Sequence, residues 1–184
     1  SIRQGRFQTG LLGLHQIENA GMAIALLDTF CQDDGRELAS NDLLAQALEE
    51  TSWPGRLQVV SRDPLMILDG AHNPHAIKAL LATLQERFAD YHKEILFTCI
   101  KTKALDDMLD LLETVPDSQL TVTHFDDSRA TDESVLKETA KSRNLNYQSW
   151  QDFLEQKLTD KKEEKQTVRI VTGSLYFLSQ VRAY

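Results

Sequence analysis

The chain has 184 residues, a mass of 20.9 kDa and a formal net charge of −8 at pH 7. Its length suffices to bury one medium-sized core, and its acidic balance argues against nucleic acid as a partner, because phosphate binding relies on clustered Lys and Arg. The two cysteines form no CxxC or Cys/His pattern. No apolar run reaches the ~18 residues of a membrane span, and the amino end lacks the basic and apolar regions of a signal peptide. We therefore expect a cytoplasmic protein with no membrane partner, no disulfide and no zinc site.

The first apolar stripe of the chain predicts a helix over residues 14–30. Apolar residues recur there at helical spacing, and the DDG at residues 33–35 is expected to end the helix. His15, Gln16 and Asn19 lie near its beginning, where polar side chains most often cap a helix or face solvent. Spacing alone therefore assigns them no chemistry.

A second apolar stripe, within residues 36–50, predicts a shorter helix with Ser40 or Asn41 as its N-cap. The sequence WPGR then breaks the helical pattern, and residues 57–61 are a candidate strand. Arg56 lies in this Pro-Gly turn, where an arginine side chain is most often simply solvated. On spacing alone, Arg56 is a surface residue.

The hydrophobic period of the chain changes at Asp69. Residues 65–68 are a short apolar run that predicts a buried strand, and apolar residues then recur at helical spacing. Asn73 is placed to cap this helix, and Pro74 occupies its first position, where the missing N–H costs nothing. A helix start just beyond the carboxyl end of a strand is where α/β proteins bind phosphates and carboxylates, so Asp69 and His72 become candidate site residues. The alternative is an ordinary turn that uses Asp, Gly and Asn for backbone reasons.

Strands and helices alternate through the rest of the chain. The strands are predicted at residues 94–100, 119–125, 146–150 and 168–172. The helices that follow them include one capped by Thr131, one over residues 151–158 capped by Ser149, and a closing one capped by Ser174. This alternation predicts βαβ units, and so an α/β Rossmann-like three-layer domain with a mainly parallel sheet. The fingerprint GxGxxG is absent, so we do not predict a dinucleotide ligand.

The last strand and helix repeat the arrangement found around Asp69. A strand ends at residue 172, Gly173 turns the chain, and Ser174 stands at the start of a helix. Because parallel strands end at the same edge of a sheet, both turns should open on that edge. The sequence thus predicts one anion-binding edge formed by two turns that are far apart in the chain.

Four segments resemble the folylpolyglutamate synthase and dihydrofolate synthase family, relatives of the Mur ligases of cell-wall synthesis. They are GLHQIENA, PGR, DGAHNP and TGSLYF, at residues 13–20, 54–56, 69–74 and 172–177. The resemblance covers nearly the whole chain. It implies a Mur ligase C-terminal domain over residues 54–184, a connecting helix and linker over residues 36–53, and a helical remnant of the central ATP-binding domain over residues 1–35.

The resemblance implies the C-terminal part of an ATP-dependent folate:L-glutamate ligase, a tetrahydrofolylpolyglutamate synthase with or without dihydrofolate synthase activity. In this family a folate carboxylate is phosphorylated to an acyl phosphate, and the amine of glutamate then displaces phosphate. ATP and Mg²⁺ are the implied cofactors, with the metal ligands outside this chain, and the implied enzyme is a monomer that binds ATP, L-glutamate and folate. The chain has no GxxxxGK[ST] phosphate loop, so we expect it to be inactive as a ligase by itself.

The resemblance also assigns residues to the nucleotide. Asn19 would contact the adenine, with His15 and Gln16 nearby. Arg56 would contact the nucleotide across the domain boundary, because its planar fork meets paired oxygens and stays charged. Asp69 would bind ribose hydroxyls or help to place the nucleotide.

Further residues are assigned by the resemblance to catalysis and to glutamate or phosphate. His72 would be the catalytic residue, reaching toward the γ-phosphate or the incoming glutamate and donating to developing negative charge. Asn73 and Ser174 would join His72 in binding glutamate or phosphate. Lys103 matches a lysine that the family often has in this loop, and no residue is assigned as a metal ligand.

Two other functions remain open from the sequence. A metal-dependent hydrolase could use the D-x-x-H-x-x-H order of Asp69, His72 and His75, although His75 would already lie in the helix. A nucleotide-binding or interaction module without catalysis would keep the same motifs. Metal analysis separates the hydrolase from a ligase, and a phosphate-loop domain encoded upstream of Ser1 would separate the module from a ligase.

Overall fold

The computed structural model of the chain describes residues 4–101, 104–156 and 165–184. Two compact units make up the chain, Ser1–Pro54 and Gly55–Tyr184. Lys103 and the predicted helix end at Leu158 lie outside the described residues. No helix in the described ranges combines the length and the hydropathy that crossing a membrane requires.

The first helix of the first unit is α1 (Leu14–Asp33). It begins at the predicted residue but continues past the predicted end at Phe30. The reason is that the amide of Asp34 still donates to the Phe30 carbonyl, at 3.1 Å, and the chain turns only at Gly35. The two acidic residues of the DDG segment therefore extend the helix instead of ending it.

The second helix of this unit is α2 (Asn41–Glu50). Of the two predicted caps, Ser40 takes the role, because its hydroxyl accepts from the amide of Leu43 at 3.2 Å. The helix therefore begins at Asn41, and the four residues before Ser40, which the sequence places in the same apolar stripe, are not helical.

Much of the apolar surface of α1 is exposed. Five large apolar residues of this helix expose more than half of their surface: Leu14, Ile17, Met22, Leu26 and Phe30. Within the helix only Gln16 and Cys31 are buried. The packing of α1 inside its own unit therefore covers little of the apolar stripe that defines it in the sequence.

The second unit is built on one six-stranded sheet. Its strands are β1 (Gln58–Arg62), β2 (Leu65–Asp69), β3 (His92–Phe97), β4 (Ser118–Val122), β5 (Asn146–Tyr147) and β6 (Thr167–Thr172). Its helices are α3 (Pro74–Arg87), α4 (Leu105–Glu113), α5 (Glu133–Ser142), α6 (Trp150–Glu155) and α7 (Leu175–Ala183). The strand order is β1-β2-β6-β3-β4-β5, and all neighbours are parallel except β1 and β2. This confirms the predicted α/β fold with a mainly parallel sheet.

Helices cover both faces of the sheet. The crossovers through α3, α4 and α5 all step in the same direction across the sheet, so their common right-handedness places these helices on one face. α6 and α7 pack on the other face, where Trp150 and Phe177 join a core with Leu68, Leu96 and Val171 of three strands. The result is the predicted arrangement of three layers.

The parallel strands β2, β6, β3 and β4 end at one level, which we call the carboxyl edge. In the register of the sheet, Asp69 pairs with Thr172, and Phe97 pairs with both Thr172 and Val122. These four residues define the edge. The loops that leave it therefore start side by side, although they are far apart in the sequence.

Three strands are shorter than the sequence predicts. The predicted ends at residues 100, 125 and 150 all lie beyond the carboxyl edge, and β3, β4 and β5 end before them. A strand needs a hydrogen-bonded neighbour, and among the residues that the structure describes no neighbouring strand continues past this level. Apolar periodicity alone could not reveal where the neighbours stop.

Two predicted helix caps have different outcomes. Ser149 caps α6 as predicted, because its hydroxyl accepts from the amide of Asp152 at 3.1 Å. The prediction that Thr131 caps α5 is wrong, since Asp132 occupies the N-cap position. Thr131 is instead buried, and its amide donates to the Cys99 carbonyl at 3.0 Å. Burial also raises the pKa of the Cys99 thiol, so that residue is a packing residue and not a thiolate.

A buried ion pair joins β3 and β6 beneath α6. Arg169 Nε donates to Glu94 Oε2 at 2.7 Å, and the two side chains are only 4% and 8% exposed. Arg169 Nη1 also donates to the Leu154 carbonyl at 3.1 Å, and the guanidinium lies 5.2 Å from the centre of the Phe153 ring. Because a charge left unpaired at this depth is strongly destabilising, the pair constrains how α6 packs on the sheet.

We predict that Arg169→Met destabilises the folded chain by about 3–5 kcal/mol, because it leaves the Glu94 carboxylate buried without this partner. The measurement is the free energy of unfolding in urea. The double variant Glu94→Leu, Arg169→Met removes both charges and should recover most of the loss. A single-variant loss below about 1 kcal/mol, the range of exposed ion pairs, would contradict the placement of this pair in the core.

Candidate functional site

The turns after β2 and β6 lie side by side at the carboxyl edge. The two strands are parallel neighbours, with Asp69 opposite Thr172. The helices that follow them, α3 and α7, pack on opposite faces of the sheet, so the chain diverges here, and such a point is where open α/β sheets bind their ligands. The hydroxyl of Thr172 donates to the Ala71 carbonyl at 3.4 Å, which links the two turns directly.

His72 and Asn73 lead from the carboxyl edge into α3. Asn73 caps the helix as predicted, because its Oδ1 accepts from the amide of Ala76 at 2.8 Å. Nδ1 of His72 lies 2.7 Å from the Gly70 carbonyl, and since a carbonyl oxygen can only accept, this nitrogen carries a hydrogen. Nε2 has no partner among the described residues and belongs to an exposed side chain, so it is open to a ligand.

Asp69 joins this turn to the chain that precedes β1. The residue is 8% exposed. Its Oδ1 accepts from the amide of Ala71 and its Oδ2 from the amide of Leu57, each at 3.0 Å. Beside these bonds, the amide of Gly70 donates to the Gly55 carbonyl at 2.7 Å. The carboxylate is therefore directed at backbone amides of two turns, which we call the Arg56 turn (residues 55–57) and the His72 turn (residues 69–73).

The close approach of the two turns depends on glycine. A Cβ atom on Gly70 would overlap the side chain of Leu175 in α7, and one on Gly55 would lie 3.0 Å from a methyl carbon of Leu178. Gly55 also has a φ of 70°, which residues with a side chain rarely adopt. The Arg56 turn, the His72 turn and the start of α7 thus meet at one point.

Arg56 presents a free cation on a fixed backbone. Its side chain is partly exposed, and its guanidinium has no partner in the described parts of the chain. Its two neighbours are held, because Gly55 accepts from Gly70 and Leu57 donates to Asp69. An unpaired guanidinium beside an amide-rich turn is suited to bind paired phosphate oxygens.

Ser174 stands at the start of α7 with an unused hydroxyl. The residue occupies the N-cap position, but its side chain makes no capping hydrogen bond. It is 2% exposed, and its Oγ has no partner among the described residues. The hydroxyl of Thr98 in the adjoining loop is likewise buried without a partner. Leaving a buried hydroxyl unpaired costs about 1–3 kcal/mol, so a ligand oxygen at this helix start would satisfy a real deficit.

Gly173 makes the Ser174 position possible. It has a φ of 117°, and a Cβ atom there would overlap the Thr98 carbonyl oxygen. The loop after β3 therefore packs directly against the backbone that carries Ser174. Hydrogen bonds and close contacts at this edge thus extend over three strands, since the amide of Thr98 also donates to the Thr172 carbonyl at 3.3 Å.

Sequence reasoning missed one cation near the start of α7. The guanidinium of Arg129 lies 3.4 Å from the centre of the Tyr176 ring, and it pairs with both carboxylate oxygens of Asp127 at 2.7 and 2.6 Å. This pairing lowers the pKa of Asp127 to about 2. In the sequence Arg129 is part of a mixed-charge loop, and no local pattern indicates that Tyr176 lies beneath it.

Three predicted nucleotide residues lie in α1, in the first unit. They contact one another: Gln16 Nε2 lies 3.0 Å from His15 Nε2, and Asn19 Nδ2 donates to Gln16 Oε1 at 3.1 Å. The structure therefore brings the predicted residues together in two sets, this one on α1 and the one at the carboxyl edge.

The described residues contain no group of three or more His, Cys, Asp and Glu side chains placed to hold a metal ion. Asp69 directs its oxygens to backbone amides, and Nδ1 of His72 is occupied by a carbonyl. His75 lies within the first turn of α3. The hydrolase alternative built on these three residues has no support in this geometry.

A sequence model of one protein family, described as Mur ligase, glutamate ligase domain, matches residues 55–175. The chain belongs to this family. The match runs from the Arg56 turn to the first residue of α7, so the Mur ligase glutamate ligase domain includes all the turns that meet at the carboxyl edge.

Similar proteins carry the names that the motifs suggest. A Bacillus subtilis protein named dihydrofolate synthase/folylpolyglutamate synthase is 30% identical over 177 residues, which are 95% of this chain and 40% of that protein. A Mycobacterium tuberculosis folylpolyglutamate synthase, solved with ADP and AMPPCP, superposes with a TM-score of 0.81 at 25% identity over 96% of this chain and 41% of its own.

A third similar protein was solved with a nucleotide analogue and a metal ion. It is a bifunctional folylpolyglutamate synthase/dihydrofolate synthase from Yersinia pestis, complexed with AMPPNP and Mn, with a TM-score of 0.63 at 28% identity over 78% of this chain and 34% of its own. The chain spans about 40% of the length of the first two of these relatives.

We predict that alanine at two helix starts changes the free energy of unfolding by different amounts. Asn73→Ala removes a capping bond and should lower the free energy of unfolding by about 1 kcal/mol. Ser174→Ala removes a buried hydroxyl that caps nothing, so the loss should stay below about 0.5 kcal/mol or become a gain. Urea unfolding of the two variants measures both. A loss for Ser174→Ala as large as that for Asn73→Ala would mean that Ser174 is an ordinary structural cap.

Proposed function

We propose that the chain is the C-terminal part of an ATP-dependent folate:L-glutamate ligase, a tetrahydrofolylpolyglutamate synthase that acts through an acyl phosphate. The observation that carries this proposal is the carboxyl edge. There a free guanidinium, a histidine with a free nitrogen and a buried unpaired hydroxyl stand on neighbouring turns. The names of the similar proteins supply the class of substrate.

The proposed reaction needs two anion sites. ATP transfers its γ-phosphoryl group to a folate carboxylate, giving ADP and an acyl phosphate. The amine of L-glutamate then attacks the acyl carbon, the C–O bond to phosphate breaks, and the amine loses a proton as the amide forms. Phosphate oxygens and the carboxylates of glutamate must both be held while this happens, and fixed hydrogen-bond donors serve both purposes.

On the nucleotide side, Arg56 is proposed to bind phosphate oxygens, and Asp69 is proposed to help place the nucleotide. The support for Arg56 is its free, permanently charged guanidinium on a fixed turn. Asn19 is proposed to contact the adenine, with His15 and Gln16 nearby. Their mutual hydrogen bonds on α1 make them a single polar group.

At the part of the site proposed for glutamate and the transferred phosphate, His72 is the proposed catalytic residue. Its Nδ1–H donates to the Gly70 carbonyl, which leaves Nε2 open to a ligand; in the imidazolium form of the ring, Nε2–H would donate to developing negative charge on phosphate or glutamate. Ser174 is proposed to bind glutamate or phosphate with its hydroxyl and with the amides at the start of α7. Asn73 is proposed to assist with its Nδ2, because its Oδ1 is occupied by the helix.

The remaining parts of the enzyme are proposed to lie outside this chain. The chain has no phosphate loop, and the described residues provide no cluster of ligands for a divalent cation. We therefore derive no step of this domain through a metal, and we place Mg²⁺, the triphosphate cradle and the folate site on the other parts of a cytoplasmic, monomeric ligase. The exposed apolar side chains of α1 support this, because an exposed apolar helix face is typical of a surface that packs against another part of a protein.

In the ligase that contains this chain, we predict that Arg56→Ala raises the KM for ATP roughly tenfold or more, and that Ser174→Ala does the same for glutamate. Each variant should leave the other KM within about twofold, because each removes one charge-assisted contact. Steady-state kinetics with purified protein measure both values. The control is Ser179→Ala on α7, whose hydroxyl donates to the Tyr176 carbonyl at 2.7 Å.

Folded variants with unchanged kinetics would remove these assignments. A ligase that forms no glutamate amide with ATP and folate would remove the proposed function itself. A protein that binds ATP but transfers no phosphoryl group would instead favour the non-catalytic nucleotide-binding module.

A further inference from the structure

The loop after β4 carries a cation that the proposed function does not use. Arg129 lies in residues 126–130, which we call the Arg129 loop, and its guanidinium stacks on the ring of Tyr176, two residues after Ser174. We propose that Arg129 binds the side-chain carboxylate of the incoming L-glutamate and so selects this amino acid. This inference rests on the proposed function and adds a second contact to the same substrate.

The first support is the place of the Arg129 loop. β4 ends at the carboxyl edge, so the loop leaves the sheet at the same level as the turn that carries Ser174. The amide of Lys101 donates to the Arg129 carbonyl at 2.8 Å, and Gln180 Nε2 in α7 donates to the Asp126 carbonyl at 2.8 Å. The loop is therefore fixed both to the loop after β3 and to α7.

The second support is the fixed orientation of the guanidinium. Its Nε and Nη2 donate to the two carboxylate oxygens of Asp127 at 2.7 and 2.6 Å, and the amide of Arg129 donates to Asp127 Oδ1 at 2.8 Å. One face of the guanidinium lies 3.4 Å from the centre of the Tyr176 ring. Because one edge and one face are already held, little side-chain entropy is lost when a ligand binds.

The third support is the edge of the guanidinium that stays open. The group has five N–H donors, and Asp127 takes two of them. Nη1 has no partner among the residues that the structure describes, and 51% of the Arg129 side chain is exposed. The edge formed by the two terminal nitrogens can therefore hold a second carboxylate through two parallel hydrogen bonds.

The reaction geometry assigns this edge to the side chain of glutamate. The amine of glutamate attacks the acyl carbon, so the adjacent α-carboxylate stays beside the transferred phosphate, where Ser174 is proposed to bind. The second carboxylate extends away from the reacting amine. Arg129, above the first turn of α7, is placed to receive it. A site built to bind this group discriminates against amino acids that lack it.

Arg129→Gln in the ligase that contains this chain tests the proposal. Loss of the charge should raise the KM for L-glutamate roughly 10- to 100-fold and leave the KM for ATP within about twofold. L-Glutamine is neutral at the end of its side chain, and it serves as an alternative substrate or, where it reacts too slowly, as a competitor of glutamate. Its affinity should stay within about twofold, so the preference for glutamate over glutamine falls by the same factor as the glutamate affinity.

The α-amide of L-glutamate separates the two carboxylates of the substrate. The preference for glutamate over this α-amide should be the same in Arg129→Gln as in the parent, because the α-carboxylate keeps its contacts. A preference over the α-amide that falls toward one would overturn the assignment to the side chain. A glutamate KM that does not change, or a KM for ATP that rises by the same factor, would overturn the proposal as well.

Three further variants complete the design. Arg129→Lys keeps the charge and should retain part of the preference for glutamate over glutamine, whereas a loss as complete as in Arg129→Gln would contradict an ionic contact. Tyr176→Leu removes the ring beneath the guanidinium and should raise the KM for glutamate roughly two- to fivefold, also if Arg129→Gln does not fold. Arg87→Gln changes an exposed arginine in the last turn of α3, away from the carboxyl edge, and should alter no kinetic constant.

The outcomes also distinguish this inference from the proposed function. A parent enzyme without ATP-dependent glutamate ligation would remove the proposed function. An active parent whose preference for glutamate over glutamine survives Arg129→Gln would remove only the role of Arg129.

Discussion

One carboxylate holds the candidate site together. Asp69 ends β2 and accepts two backbone amides, one from its own turn and one from a turn that precedes the sheet's first strand. A buried carboxylate is stable only when its oxygens are satisfied, and here the backbone of the two turns satisfies them. The same bonds place Arg56 and His72 at one edge.

The strand order of the sheet brings the turns of the candidate site together. Since β6 is inserted between β2 and β3, the last strand of the chain brings Gly173 and Ser174 beside the first βα turn. α3 and α7 leave this point on opposite faces, so their starts lie on the two sides of the carboxyl edge. One helix start is capped by its own asparagine, while the other keeps a buried hydroxyl unused. The start of α3 therefore has its capping hydrogen bond, whereas the hydroxyl at the start of α7 is available to a ligand.

The sequence predicted the features that depend on residues close together along the chain. The change of period at Asp69, the cap at Asn73 and the alternation of strands and helices are local, and the structure confirms them. Strand ends and the role of Thr131 depend on distant neighbours, and there the prediction was wrong. The bond from Leu57 to Asp69 and the stacking of Arg129 on Tyr176 likewise join distant segments, so no pattern in the sequence could show them. The roles of Arg56, His72 and Ser174 stay predictions.

A crystal structure of the ligase that contains this chain, with a non-hydrolysable ATP analogue and glutamate bound, tests the central claim most directly. The account predicts that both oxygens of Asp69 remain about 3 Å from the amides of Leu57 and Ala71 and that Arg56 binds the nucleotide. A carboxylate of Asp69 turned away from these amides, or an Arg56 that makes no contact with the nucleotide, would contradict it.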